Sequence, residues 1–121
     1  MPGKFAVIRL SQESVIPQFA YQSSFYSITK TADELSLVCE QYLVPSEFKA
    51  EKDWRILKVD GVLDFGLTGI LSSILNPLAE AKISIFALST FDTDYILLKS
   101  EILTQALDVL CAQGFEIWGQ G

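Results

Sequence analysis

The sequence predicts an α+β protein: a ferredoxin-like βαββαβ module, preceded by a shorter module of similar cadence. From Trp54 onward, strand-like and helix-like segments alternate in the order β-α-β-β-α-β, and roughly 65 residues suffice for that arrangement. Of the 121 residues, 50% are hydrophobic and 20% are charged, which suits a buried core and excludes a disordered chain.

In the first half, alternating β-branched and aromatic residues predict strands over Phe5–Leu10, 25–29 and 35–39. A full helix is not expected between the first two strands, because Pro17 cannot lie inside one. The polar stretch 45–53 is interpreted as a solvated linker or short helix. We therefore expect a module over 1–50 and a second over 51–121.

The second half begins with a predicted strand over 54–59. A helix follows, and its apolar residues form one face: Ile70, Leu71, Ile74, Leu75 and Leu78. Pro77 predicts a kink there, with Asn76 capping a second short turn. A strand is predicted over 83–88.

Residues 89–93 have the composition of a turn, and a strand is predicted over 95–98. Ser100 is expected to be the N-cap of a second helix, which carries an apolar stripe of Leu103, Leu107 and Leu110. Gly114 is a typical helix stop, and residues 115–118 are expected to close the module as a short strand.

Charge excludes several classes of function. Nine Lys and Arg against fifteen Asp and Glu give a net charge of −6, so neither nucleic acid nor an anionic membrane is an expected partner. There is no histidine, the commonest general base and ligand of catalytic zinc. No triad-like set is visible, so no enzyme is predicted.

Location is predicted from three observations. The sequence shows no signal-peptide pattern, and no charge-free run, 65–79 included, reaches the ~18 residues of a membrane span. Cys39 and Cys111 fit no metal motif and are interpreted as two reduced core thiols. These observations favour a cytoplasmic protein.

Two loops could hold a small charged molecule. Gly66 and Gly69 lie before a predicted helix N-terminus, which suits a carboxylate or phosphate, although a plain turn also needs such glycines. No Walker lysine follows and the dinucleotide fingerprint is absent, so no cofactor is predicted. Asp92 and Asp94 could accept hydrogen bonds from an ammonium group, bind a hard cation or simply form a solvated hairpin. Metal binding is the weakest of these three interpretations, and no metal site is predicted.

The two halves share a weak internal repeat. Residues 31–38 (TADELSLV) resemble residues 90–97 (TFDTDYIL), with Thr and Asp at matching places before strand residues. A duplication and a coincidence both remain open.

Four runs resemble the ACT domains of small bacterial proteins related to aspartokinase regulatory domains and cytosolic arginine sensors. They are WRILKVDG (54–61), LDFGLTGIL (63–71), PLAEAKISIFA (77–87) and LSTFDTDY (88–95). The first half resembles, with lower specificity, the degenerate first ACT-like module of those proteins. The resemblance implies a tandem ACT protein that binds a small molecule, usually an amino acid.

The resemblance also joins the two loops into one ligand site. Backbone N–H groups near Thr68 and Gly69 would bind the α-carboxylate, Asp92 or Asp94 the α-ammonium, and Phe91 would form a wall. The full predicted set is Gly66, Leu67, Thr68, Gly69, Ile70, Ser89, Thr90, Phe91, Asp92 and Asp94.

We therefore expect a stand-alone regulatory module that binds an amino acid, forms a homodimer and acts through a separate regulated protein. The alternative is a protein-interaction adaptor with a vestigial ligand site. A small enzyme that uses aspartate carboxylates is a third, weaker hypothesis.

Overall fold

The computed structural model describes residues 1–59 and 70–117, which belong to two compact units. The N-terminal unit is Gly3–Trp54, and the C-terminal unit runs from Arg55 and includes Met1–Pro2. Both contain antiparallel strands, and the second also contains two α-helices, so the predicted α+β class is confirmed.

The N-terminal unit is a small antiparallel sheet with strand order β2-β3-β1-β4. Short 3-10 helices lie at Gln18–Gln22 and Gln41–Leu43. Its strands are β1 (Phe5–Leu10), β2 (Ser27–Lys30), β3 (Leu35–Glu40) and β4 (Ala50–Lys58), whose last four residues belong to the C-terminal unit. The prediction that no full helix follows β1 is confirmed.

The interpretation of 45–53 as a linker or short helix is wrong for its last four residues, which are part of β4. Ala50 pairs with Ile8, and Glu51 pairs with Val7. The charged residues 51–53 are solvent-exposed, so the stretch lacks the apolar alternation that identifies a strand in the sequence.

β4 contains a bulge at this point. The register with β1 shifts between Phe5 and Val7, and Asp53 has a left-handed φ of 66°. The side chain of Gln41 holds this backbone: its Oε1 accepts from the Asp53 N–H at 2.6 Å, and its Nε2 donates to the Asp53 Oδ1 at 3.2 Å. Lys4 adds an exposed ion pair with Asp53 at 3.5 Å.

The N-terminal unit has its own apolar core, built on the buried residues Ile8, Ala20, Leu37 and Cys39. Burial, with a smaller contribution from the Glu40 charge, raises the pKa of the Cys39 thiol to about 11. The expectation of two core thiols is wrong for Cys111, which is exposed on the outer face of a helix.

The C-terminal unit contains β5 and β6 as an antiparallel hairpin, with β6 between β4 and β5 in the sheet. Its elements after β4 are α1 (Ile70–Glu80), β5 (Phe86–Ser89), β6 (Asp94–Lys99) and α2 (Leu103–Ala112). Apolar residues from both helices, from β6 and from the segment between α1 and β5 form its core: Ile74, Leu78, Ile83, Ile96, Leu98, Ala106 and Leu110.

Pro77 lies within α1 rather than starting a second turn at Asn76, so that prediction is wrong. The N–H that proline lacks would have bonded Ser73, four residues earlier on the exposed side of the helix. Ile74 and Leu78 are 7% and 0% exposed, and their burial keeps one continuous apolar face along α1.

Both helices end in a Schellman motif. After α2, Phe115 donates to the carbonyl of Leu110 at 3.1 Å, with Gly114 at φ 91°. After α1, Ile83 donates to the carbonyl of Leu78 at 3.0 Å, and the left-handed position is filled by Lys82 at φ 60°. Gly114 is therefore confirmed as a helix stop.

Two predictions beside α2 are wrong. Ser100 does not cap α2, because it begins a 3-10 helix over Ser100–Ile102 and α2 starts only at Leu103. Residues 115–117 are not a strand: the Phe115 N–H is used by the helix end, and Trp118 lies outside the described residues. Within the described ranges, no helix is long and apolar enough to cross a membrane.

Candidate functional site

The β5–β6 hairpin carries the described half of the predicted site. Ser89 pairs with Asp94, and the turn between them is closed by the Thr90 N–H, which donates to the Thr93 carbonyl at 2.9 Å. The Thr90 Oγ1 accepts from the Thr93 N–H at 3.2 Å. A threonine hydroxyl thus completes the turn, as serine and threonine commonly do.

This turn is bonded to the strand beside it. The Thr93 hydroxyl donates to the Val59 carbonyl at 2.6 Å, and the Val59 N–H donates to the Asp94 carbonyl at 2.9 Å. Thr93 is only 5% exposed. Two hydrogen bonds, one of them shielded from water, therefore fix the hairpin to the end of β4.

The hairpin separates its two acids into different roles. The Asp94 carboxylate accepts a hydrogen bond from the Ser89 hydroxyl, so it holds the strand ends together. Asp92 is exposed at the tip, where Phe91 is 82% exposed beside it. An exposed carboxylate next to an aromatic face can bind an ammonium or guanidinium group by charge and by cation–π contact.

The other half of the predicted site lies outside the described residues. This applies to Gly66, Leu67, Thr68 and Gly69, and Ile70 is described only as the first residue of α1. The junction of this loop with the hairpin therefore stays a prediction.

The sequence did not indicate an apolar cleft of about 580 Å³ in the C-terminal unit. Its walls come from β4, β6, both helices and the segment after α2, chiefly Leu57, Val59, Ile74, Ile96, Leu110 and Phe115. Lys58 and Glu116 also line it. The alternation of apolar and charged residues along 57–59 indicates a strand, but it does not indicate that a cleft lies beside that strand.

Metal binding gains no support from the described hairpin. Asp94 is engaged by Ser89, and no group of three or more potential His, Cys, Asp or Glu ligands occurs anywhere in 1–59 or 70–117. A hard cation needs six or more oxygen ligands, which two carboxylates alone do not supply.

Comparison with known proteins identifies the C-terminal unit. The family model of the ACT domain matches residues 49–112, and a model of an N-terminal domain matches residues 3–47. The human protein named cytosolic arginine sensor for mTORC1 subunit 1 is 36% identical over 105 residues, 78% of this chain. The chain spans about a third of that relative's length, 32%.

Solved structures show the same fold. A crystal structure of a protein from Agrobacterium tumefaciens superposes with a TM-score of 0.88 at 35% identity, covering 98% of this chain and 91% of that one. Aspartate kinase from Clostridium acetobutylicum superposes with a TM-score of 0.66 at 15% identity, covering 91% of this chain and 32% of the kinase. The resemblance to ACT domains related to aspartokinase regulatory domains and cytosolic arginine sensors is confirmed, and the tandem arrangement stays a prediction.

Proposed function

Because the chain belongs to the ACT-domain family, we propose that it is a regulatory module that binds a free amino acid and acts on a separate protein. The family membership supports small-molecule regulation, and the name of the human relative supports an amino acid as the ligand. The same relatives support a regulatory rather than a catalytic role.

The observation that carries the proposal is the hairpin fixed to Val59. A ligand gains affinity from groups that are held in place before it binds, because less conformational entropy is lost. The α-ammonium group would bind Asp92, since the Asp94 carboxylate is already engaged by Ser89. Phe91 would cover one side of the ligand, and the backbone amides near Thr68 and Gly69 would take the α-carboxylate.

The remaining features belong to the same proposal. We keep the division into modules over 1–50 and 51–121, supported by the family matches to 3–47 and 49–112. A tandem origin is supported by the turns at 31–34 and 90–93, since the Thr31 N–H donates to the Glu34 carbonyl as the Thr90 N–H does to the Thr93 carbonyl. We also propose that the protein is cytoplasmic and that it forms a homodimer. Light scattering on the purified chain would test the homodimer directly.

Thermal denaturation in the presence of each of the twenty amino acids tests ligand binding. A ligand at 100 times its dissociation constant adds about 2.7 kcal/mol, which corresponds to a rise in Tm on the order of 10 °C for a chain of this size. Asp92→Ala should abolish the shift. Asp33→Ala is the matched control, since Asp33 has the corresponding turn position in the N-terminal unit.

Three outcomes would contradict the proposal. No shift with any amino acid at millimolar concentration would exclude amino-acid binding by this chain. A shift that survives Asp92→Ala would move the site away from the hairpin. Partner capture that is unchanged by any amino acid would favour the adaptor, with its ligand site vestigial.

A further inference from the structure

The outer edge of β2 in the N-terminal unit carries main-chain groups that can pair with another strand. Among the strands that the structure describes, β2 lies at the end of the order and has β3 as its single neighbour. A strand with one neighbour leaves every second N–H and carbonyl along its length without a partner strand. The edge therefore has the hydrogen-bonding capacity for one more strand.

The bond that closes the turn after β2 shows which residues face outward. Thr31 donates its N–H to the Glu34 carbonyl at 2.9 Å, so Thr31 directs its main-chain groups toward β3. Successive residues of a strand direct these groups to opposite sides, and Lys30 and Ile28 therefore direct theirs away from β3. Tyr26, directly before the strand, falls in the same alternation.

The side chains of these three residues share one face, because they alternate along the chain. Ile28 is half-buried against the apolar core of the N-terminal unit, and Lys30 is exposed. Tyr26 is 43% exposed, with its ring 5.7 Å from that of Tyr21. The edge thus presents an aromatic ring, an apolar side chain and a cation, in that order.

This order is complementary to itself when two copies run antiparallel. A two-fold axis at Ile28 brings Ile28 opposite Ile28 of the second copy, and it brings Lys30 opposite Tyr26. An ammonium group is attracted to an aromatic ring, and the paired isoleucines extend the apolar core. A shift by two residues places Lys30 opposite Lys30 of the second copy, where like charges repel. The charges therefore select one register.

We propose that the outer edge of β2 forms the homodimer interface, by antiparallel pairing with β2 of a second copy of this chain. The inference rests on the proposed function, which includes a homodimer, and it names the surface that forms it. A two-fold interface uses the same patch on both copies, and the order of Tyr26, Ile28 and Lys30 meets that requirement.

Light scattering over a dilution series tests the edge. Lys30→Pro removes an outward N–H but no bond to β3, and an edge strand tolerates proline at such a position. We expect the dissociation constant of the dimer to rise at least about tenfold, with the far-UV circular dichroism unchanged.

Ala87→Pro is the matched control at the opposite end of the sheet. The Thr90 N–H bonds the Thr93 carbonyl, so by the same alternation Ala87 directs its N–H away from β6. This variant should leave the dissociation constant unchanged. A dimer weakened by Ala87→Pro as much as or more than by Lys30→Pro would overturn the assignment to β2.

An exchange of charges tests the register. Tyr26→Lys places two ammonium groups opposite each other, and Lys30→Glu places a carboxylate against the ring, so each should raise the dissociation constant about threefold or more. The double variant pairs a carboxylate with an ammonium group and should return the constant to within about threefold of wild type. Effects that simply add in the double variant would overturn the register. A wild-type chain that is monomeric at every concentration would contradict the proposed homodimer itself, whereas a dimer that none of these variants weakens would overturn only its interface.

Discussion

The turns at 31–34 and 90–93 form the same hydrogen bonds but are held in different ways. In each, the first threonine donates its N–H to the carbonyl three residues later, and its hydroxyl accepts from the N–H of that residue. Only the second turn is bonded to another strand through a buried hydroxyl, that of Thr93. The first has one exposed contact, from Arg9 to the Asp33 carbonyl at 3.4 Å. The geometry of each turn thus depends on its own residues, whereas the bonds that hold the turn in place depend on the tertiary structure around it.

The N-terminal unit has a cluster of polar contacts at the other end of β3. The Glu40 carboxylate accepts from the Ser24 N–H at 2.6 Å, the Ser24 hydroxyl at 2.8 Å and the Ser23 hydroxyl at 3.2 Å. Ser23 is only 7% exposed. Side-chain hydrogen bonds therefore hold a different end of the hairpin in each unit. In the N-terminal unit they hold the strand ends, and in the C-terminal unit they hold the turn.

The largest expected effect is that of Glu40→Ala. A hydrogen bond to a charged group contributes about 1.5–3 kcal/mol, and partial solvent exposure reduces the sum here, so we expect a loss of about 2 kcal/mol in the free energy of unfolding. Urea denaturation measures it. Glu34→Ala, at the start of the same strand, should change the value by less than about 0.5 kcal/mol. Equal losses in both variants would contradict the assignment of Glu40 as the fixing residue.

Thr93→Val should have the next largest effect. The substitution keeps the shape of the side chain but leaves the Val59 carbonyl without its donor, and we expect a loss of about 1.5 kcal/mol. The matched change, Glu34→Val, falls at the same place in the first turn and should cost less than about 0.5 kcal/mol. Similar losses at the two positions would show that the turns are held alike.

The hydrogen bonds to Glu40 also predict how the free energy of unfolding changes at acidic pH. The Ser24 N–H and the two serine hydroxyls hold the pKa of the Glu40 carboxyl below its ordinary value of 4.5. The stability it adds is therefore fully present above pH 4.5 and is lost as the pH falls through the lower folded-state value. The difference in unfolding free energy between wild type and Glu40→Gln should shrink from pH 6 to pH 3. A constant difference would contradict this.

How much the sequence predicts depends on whether the cause is local. The strands at Phe5–Leu10 and Asp94–Lys99, the apolar face of α1 and the stop at Gly114 follow from periodicity and backbone preference. β4 begins earlier than predicted because β1 pairs with charged residues there. That pairing is a long-range contact, and residue type alone does not reveal it.

The site divides in the same way. Composition indicated a turn at 89–93 and an exposed acid at Asp92, and both depend on neighbouring residues only. The different environment of Asp94, the bond from Thr93 to Val59 and the cleft all depend on which strand lies beside which. A single sequence does not show which strands are neighbours, so these three features could not be predicted from it.

The smallest predicted effect compares one left-handed residue in each unit. Lys82 at φ 60° is exposed, and a non-glycine residue in this region costs about 1–2 kcal/mol, part of which glycine loses again to its greater freedom when unfolded. We expect Lys82→Gly to raise the unfolding free energy by about 0.5–1 kcal/mol. Asp53→Gly relieves the same strain at φ 66° but removes the contacts with Gln41 and Lys4, so no gain is expected. Urea denaturation of both variants measures the contrast. A gain at Asp53 equal to that at Lys82 would show that those contacts add nothing to the N-terminal unit.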